Sequence, residues 1–198
     1  LRLYCATTNS GKLREFRLAL SGSFDVAPLD GLECLPPAEE TGATFEENAV
    51  QKALYYSKHC AGLLFVDDSG LEVDALAGAP GIHSARYAGA NASDQANNRL
   101  LLNRMRGVTN RSARFVCVVA LAESDRTLGT FRGEVEGRLA DEPRGANGFG
   151  YDPLFFYPPF GCTFGEAPLE EKMKVSHRSL ALEAMRDFLV KKVIADEK

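Results

Sequence analysis

The residues best placed to do chemistry in this chain are two adjacent carboxylates, Asp67 and Asp68. They end an apolar run, Leu63-Leu64-Phe65-Val66, and are followed at once by Ser69 and Gly70. A buried strand that breaks into acid, hydroxyl and glycine delivers charged groups to the mouth of a cleft. A carboxylate taken out of water without a partner is costly, so the pair must be solvated, ion-paired or bound to a hard cation such as Mg2+. The competing reading is a strand running out into a polar turn. Successive strand residues face opposite ways, so only one of the two aspartates is expected to point straight into a cleft.

Two further places gather polar groups. Thr8-Asn9-Ser10-Gly11-Lys12 lies between an expected strand and an expected helix. Free backbone N–H groups and the helix dipole make such a junction a ready anion site, and Lys12 adds a positive charge. The spacing is not that of a P-loop, and an ordinary helix cap with a solvated lysine explains this segment equally well. Late in the chain stand Lys172, Ser176, His177 and Arg178. With Ser176 as N-cap, His177 and Arg178 fall in an exposed first turn, where basic residues oppose the helix dipole. An anionic or carbonyl ligand would offset that, and so would Glu170 or Glu171 nearby. A triphosphate uses all three kinds of site: a metal and a carboxylate for hydrolysis, and lysine and arginine for the remaining charge.

The elements that must position these groups follow from periodicity. Leu1 to Thr7 reads as a strand and Lys12 to Leu20 as a helix with Leu13, Phe16 and Leu20 on its apolar face. Phe24 to Leu29 reads as a short strand and Gly31 to Gly42 as a loop. A long helix follows to about Ala61, opened by a Thr44/Glu47 capping box and faced by Phe45, Ala49, Ala53, Tyr56 and Cys60. Asn48 is a poor helix former in its second turn, which suggests a contact. Leu71 to Leu76 reads as a short strand, Gly78 to Gly81 as a turn, and Ile82 to Gly89 as an irregular segment carrying His83, Arg86 and Tyr87. A helix is expected from Ser93 to Met105, then an antiparallel pair, Arg114 to Glu123 and Leu128 to Val135. A glycine-rich loop, Gly145 to Gly150, precedes an aromatic stretch, Tyr151 to Tyr157. The last helix runs from about Ser176 to Lys192 with Leu180, Ala184, Met185 and Phe188 inward. This order fits an α/β or mixed α+β fold, a mixed sheet with helices packed around it, as one domain over residues 1–198.

Composition narrows the function. A net charge of −4 argues against a surface made to neutralise a nucleic-acid backbone. No run approaches the roughly 20 apolar residues of a membrane span, and Leu1-Arg2-Leu3-Tyr4 reads as a strand and not as a signal peptide, so a cytoplasmic protein is expected. The five cysteines show no C-x-x-C spacing and read as reduced. His59-Cys60 has no third ligand spaced to join it as a metal site.

Six motifs, in order, closely resemble the inosine/xanthosine triphosphate pyrophosphatase family, the HAM1/RdgB-like proteins. They are Thr7-Thr8-Asn9-Ser10-Gly11-Lys12, the run from Glu40 to Ala49, Asp67-Asp68-Ser69-Gly70-Leu71, Gly81 to Tyr87, Gly148 to Pro153, and Ser176-His177-Arg178. The Gly81 to Tyr87 form is similar to the bacterial branch, with His83 where tyrosine is often expected. The resemblance implies an elongated mixed sheet, two lobes around a deep cleft, and a homodimeric, Mg2+-dependent enzyme that cuts ITP, dITP or XTP to the monophosphate and pyrophosphate. It assigns phosphate contacts to Thr7, Thr8, Asn9, Ser10, Gly11 and Lys12, the proton acceptor and a metal ligand to Asp68, a second metal ligand to Glu39, and a substrate contact to Ser69. Phe149, Gly150, Tyr151 and Asp152, with Lys172, His177 and Arg178, would form the base pocket. The residue chemistry agrees: hypoxanthine and xanthine present a 6-keto acceptor where adenine presents an amino donor, so Lys, His or Arg donors favour them over ATP. Phe149 offers a stacking face, and Asp152 is a candidate partner for the ring N1–H. A different nucleotide phosphatase, a kinase-like transferase and a non-catalytic nucleotide sensor are the rival readings.

Overall fold

The computed structural model describes residues 1–196, with side chains as far as Lys192. Seven strands form one mixed sheet in the order β2-β1-β3-β4-β5-β6-β7, with helices against it, the α/β class expected. The described residues divide into two compact units: residues 1–68, 117–133 and 177–196, and residues 69–116 and 134–176. It crosses from one to the other within β3 (Leu64–Val73), β4 (Ser112–Glu123) and β5 (Arg126–Leu139).

In the first unit β1 (Arg2–Cys5) pairs in parallel with β2 (Asp25–Pro28) on one side and with β3 on the other. The chain leaves β1 early, because Asn9 caps α1 (Ser10–Ala19) by accepting from the Lys12 N–H, which brings Ser10 and Gly11 into the first turn. Leu13, Phe16 and Leu20 pack as expected into a core with Leu3, Cys5, Phe65, Val119, Leu182, Met185 and Leu189, and Phe16 meets Phe65 edge-on at 5.1 Å. The Thr44/Glu47 capping box opens α2 (Phe45–Ser57), which stops short of the expected Ala61. Ser124 and Asp125, both with positive φ, make the two-residue turn of the β4/β5 hairpin.

The last helix, α5 (His177–Asp196), keeps part of its expected face, with Met185 buried and Phe188 packed against the core, and departs from the rest. Leu180 is 39% exposed and Ala184 is also exposed, while Arg178, Ala181, Leu182, Met185 and Leu189 are buried. A charged residue occupies the inner stripe, so counting only apolar residues set the phase one position off. The first turn of α5 also lies against β5 so closely that a Cβ at Gly133 would sit 2.2 Å from the His177 carbonyl oxygen. Only glycine fits there.

The second unit holds the rest of β3 to β5, α3 (Asp94–Arg104), β6 (Phe155–Tyr157), β7 (Cys162–Thr163) and a short α4 (Leu169–Lys172) absent from the expected order. Its core joins Leu71, Val73, Leu101, Met105, Val135, Leu139 and Leu154 to an aromatic cluster, with Phe115–Phe155 and Phe155–Phe164 ring centres 4.5 and 5.0 Å apart.

Candidate active site

The expected break at Asp67-Asp68 does not occur: both lie inside the ten-residue strand β3, which continues to Val73. A strand tolerates two central carboxylates here because cations meet them from either side. Asp67 is 5% exposed. Its Oδ1 accepts from Lys12 Nζ at 2.8 Å and its Oδ2 from Arg178 Nε at 3.2 Å. Arg178 Nη1 in turn donates to Glu15 Oε2 at 2.5 Å. Burial alone would raise the Asp67 carboxyl, but Lys12 and Arg178 outweigh it and hold it well below the usual aspartate range.

Asp68 faces a different set. Its Oδ1 accepts from Lys52 Nζ at 2.8 Å, and the same ammonium reaches Glu40 Oε1 and the Asp67 carbonyl, each at 3.1 Å. The second carboxylate oxygen, Oδ2, is buried with no hydrogen-bond partner. Burial raises the Asp68 carboxyl; Lys52 offsets this in part, and the Glu40 charge adds to the rise. Two neighbouring aspartates are thus driven apart, one a fixed anion and the other the more basic group, the division of labour that acid–base chemistry uses.

An orphaned buried oxygen on Asp68, with a second carboxylate across a shared lysine, fits a divalent cation. Among the described residues no three His, Cys, Asp or Glu side chains gather into an all-protein metal site. Two carboxylates completed by water and phosphate oxygens suit Mg2+, which rarely takes a full protein cage. The carboxylate that reaches this cluster is Glu40; Glu39, the expected ligand, is exposed. The two are adjacent in sequence, and only the course of the loop decides between them.

The Thr7 to Lys12 junction is largely solvent-facing: Thr8, Asn9 and Ser10 are exposed, and no acidic residue stands in the first turn of α1. The Asn9 N–H donates to Thr7 Oγ1 at 3.2 Å, which shapes the turn. Lys12 is no free solvated cation but is anchored to Asp67.

In the second unit the structure brings together Phe149, Asp152 and Lys172. Lys172 Nζ donates to Asp152 Oδ2 at 2.6 Å, with side chains 2% and 3% exposed, and lies 5.3 Å from the Phe149 ring centre. Asp152 Oδ2 also accepts the Phe149 N–H at 2.9 Å. The loop packs so tightly that a Cβ at Gly148, whose φ is +73°, would fall 2.0 Å from that oxygen. From α3, Asp94 accepts the Gly150 N–H at 2.6 Å and Asn98 Nδ2 donates to the Gly150 carbonyl at 3.0 Å. Tyr151 points into the core and its hydroxyl donates to the Ser84 carbonyl at 2.8 Å. A groove of about 1070 Å³ in this unit, lined by Asn98, Arg99, Arg106 and Arg111, contains none of the expected site residues.

The first turn of α5 is not exposed as expected: His177 and Arg178 are 3% and 2% exposed. Glu15 and Asp67 compensate Arg178. Sequence reasoning missed Lys52, Glu15 and Glu40. The available signals were the place of Glu40 at the head of its motif and the unpaired charge that a buried Arg178 and a metal-facing Asp68 would have demanded.

Residues 3–188 match the model of the Ham1 family. The chain is 52% identical over 188 residues to the dITP/XTP pyrophosphatase of Syntrophobacter fumaroxidans, covering 94% of this chain and 81% of that one. It is 48% identical over 191 residues to the protein of the same name from Geobacter sulfurreducens, covering 95% and 96%. Among solved structures, the Ham1 protein of Staphylococcus aureus matches with a TM-score of 0.85 at 41% identity, covering 97% of this chain and 100% of that one. A HAM1 protein from Coxiella burnetii matches at 0.86 and 40%, covering 96% and 99%. With the acidic strand, its lysines and the aromatic loop all carried on a chain that matches at this length and identity, the protein belongs to the Ham1 family.

Proposed function

We propose that the protein hydrolyses dITP, ITP and XTP to the nucleoside monophosphate and pyrophosphate, as a Mg2+-dependent cytoplasmic homodimer. The names carried by its relatives support the reaction, and one observation supports where it happens: the buried, unpartnered Asp68 Oδ2 beside Glu40 and Lys52. Asp68 and Glu40 would hold the cation, which when bound offsets phosphate charge and polarises the bond to be broken. Asp68, the more basic aspartate, accepts the proton of the attacking water. Lys52 keeps that carboxylate in place and counters the charge of Glu40. Thr7, Thr8, Asn9, Ser10, Gly11 and Lys12 receive phosphate oxygens at the N-terminus of α1. Asp67 fixes Lys12 for this task, and Arg178 acts on the substrate through Asp67. Ser69 contributes a further substrate contact.

The second unit's cluster suits a 6-keto purine. Phe149 supplies a ring face, Lys172 a donor for the keto oxygen, and Asp152 an acceptor for N1–H. Gly150 and Tyr151 give the loop its shape, and His177 is assigned to the base as a donor. The negative net charge fits no nucleic-acid partner, and no helix among the described residues is long and apolar enough to cross a membrane.

The test is a panel of purine triphosphates with Mg2+ and identification of every phosphate product. Pyrophosphate and monophosphate from dITP, ITP and XTP, with far slower turnover of ATP, are expected. Orthophosphate release, or tight binding without turnover, overturns the proposal. Light scattering should give twice the chain mass.

A further inference from the structure

Helix α2 does more than cap itself. Four consecutive backbone N–H groups that lead into it each donate to a side chain on its first turns. Thr41 donates to Gln51 Oε1 at 3.1 Å, Gly42 to Asn48 Oδ1 at 2.9 Å, and Ala43 and Thr44 to Glu47 Oε2 at 2.6 and 3.2 Å. The residue just before this ladder is Glu40, whose carboxylate meets Lys52, next to Gln51 on the same helix. The segment bearing Glu40 is therefore strapped to the helix that bears Lys52.

Asn48 is the member that packing does not explain. Thr44 and Glu47 form an ordinary capping box. Asn48 is 0% exposed, and its Nδ2 has no hydrogen-bond partner. Asparagine is a poor helix former, and a buried orphan donor costs free energy that an apolar side chain of similar size would not. What the side chain does provide is the acceptor for Gly42 N–H. Gly42 is shaped for the same contact: a Cβ there would lie 2.6 Å from Glu47 Cβ, 2.8 Å from Asn48 Oδ1 and 3.0 Å from Asn48 N.

We propose that Asn48 and Gly42 are a positioning pair that presets the Glu40 carboxylate beside Asp68, so that a divalent cation meets two oxygen ligands already in place. The proposal rests on the reading of Asp68 and Glu40 as cation ligands. Neither Asn48 nor Gly42 touches the substrate; both act through Glu40. Mg2+ demands near-ideal geometry, so a loop free to wander forfeits affinity. Loss of groups that orient metal ligands costs about 10- to 100-fold in metal affinity.

The experiment titrates Mn2+ into nucleotide-free wild type, Glu40→Gln, Asn48→Ala and Gly42→Ala by isothermal calorimetry. Hydrogen exchange across residues 40–44, and triphosphate binding in EDTA, are measured in parallel. Asn48→Ala and Gly42→Ala should each weaken Mn2+ about 10- to 100-fold, expose the Thr41 and Gly42 amides to exchange, and leave metal-free nucleotide binding unchanged. If wild type binds no Mn2+, or Glu40→Gln binds it as well, the cation reading falls and the strap with it. If Glu40→Gln loses Mn2+ while both strap variants bind it like wild type, the strap alone is overturned. Should Asn48→Ala fail to fold, Gly42→Ala, which changes no residue of the helix although its methyl presses on Glu47 and Asn48, decides.

Discussion

Glu15→Gln isolates the buried charge chain under the acidic strand. Lys12, Asp67, Arg178 and Glu15 alternate in sign through contacts of 2.8, 3.2 and 2.5 Å, and the last three side chains are at most 2% exposed. Glutamine keeps the shape and one acceptor but removes a negative charge from beside Arg178. Breaking a buried pair from one side costs about 3–5 kcal/mol. At about 2–4 °C per kcal/mol for a chain of this size, Tm should fall by about 6–20 °C. Asp25→Asn is the control: it breaks the Arg2 pair, whose side chains are 60% and 63% exposed, and should leave Tm unchanged within error. The pH dependence follows from Asp67. Its folded pKa lies below the ordinary value of 3.8, so the stability it contributes is present above that value and is lost as pH falls through the depressed one. Calorimetry at pH 7 and on acidification to below pH 3.8 reads both effects. A Glu15→Gln Tm within about 2 °C of wild type, in a protein that is otherwise native, would refute the claim that these charges depend on one another.

Three further outcomes are expected. In metal-free protein, carboxyl titration by NMR should place Asp68 above 3.8 and Asp67 below it, and Lys52→Met should raise Asp68 further; the reverse order would contradict the site electrostatics. Lys172→Met should destabilise by leaving Asp152 buried and charged, while Lys172→Met with Asp152→Asn should recover Tm but not the preference for dITP over dATP in kcat/KM; retained preference removes Lys172 from base selection. Gly133→Ala should cost about 1–3 kcal/mol, read by denaturant unfolding, because the added methyl meets the His177 carbonyl, which cannot rotate away.

Much of this molecule was legible in its sequence wherever local chemistry governs. The Thr44/Glu47 box, the Leu13, Phe16 and Leu20 stripe and the β4/β5 hairpin depend on residues close in the chain, and all three stand as read. Long-range electrostatics was not legible. Asp67 and Asp68 look like a strand end because charge normally ends a strand; only Lys12, Lys52 and Arg178, 55, 16 and 111 residues away, allow β3 to continue. The phase of α5 was misread for the same reason, since Arg178 sits on the buried stripe. Glu40 and Glu39 are chemically identical neighbours, and their difference lies wholly in the loop that the α2 side chains hold.

The most direct test of the central claim is Asp68→Asn assayed on dITP with Mg2+, with dIMP and pyrophosphate quantified and Tm measured on the same preparation. Because the folded pKa of Asp68 is raised, its neutral form is favoured by folding, and the stability this gives is lost as pH rises through that pKa. Asparagine keeps an acceptor for Lys52 while Glu40 keeps a charge beside it, so the protein should stay folded while turnover falls by about 10²- to 10⁴-fold. A folded Asp68→Asn protein that still releases pyrophosphate at close to the wild-type rate would contradict the account.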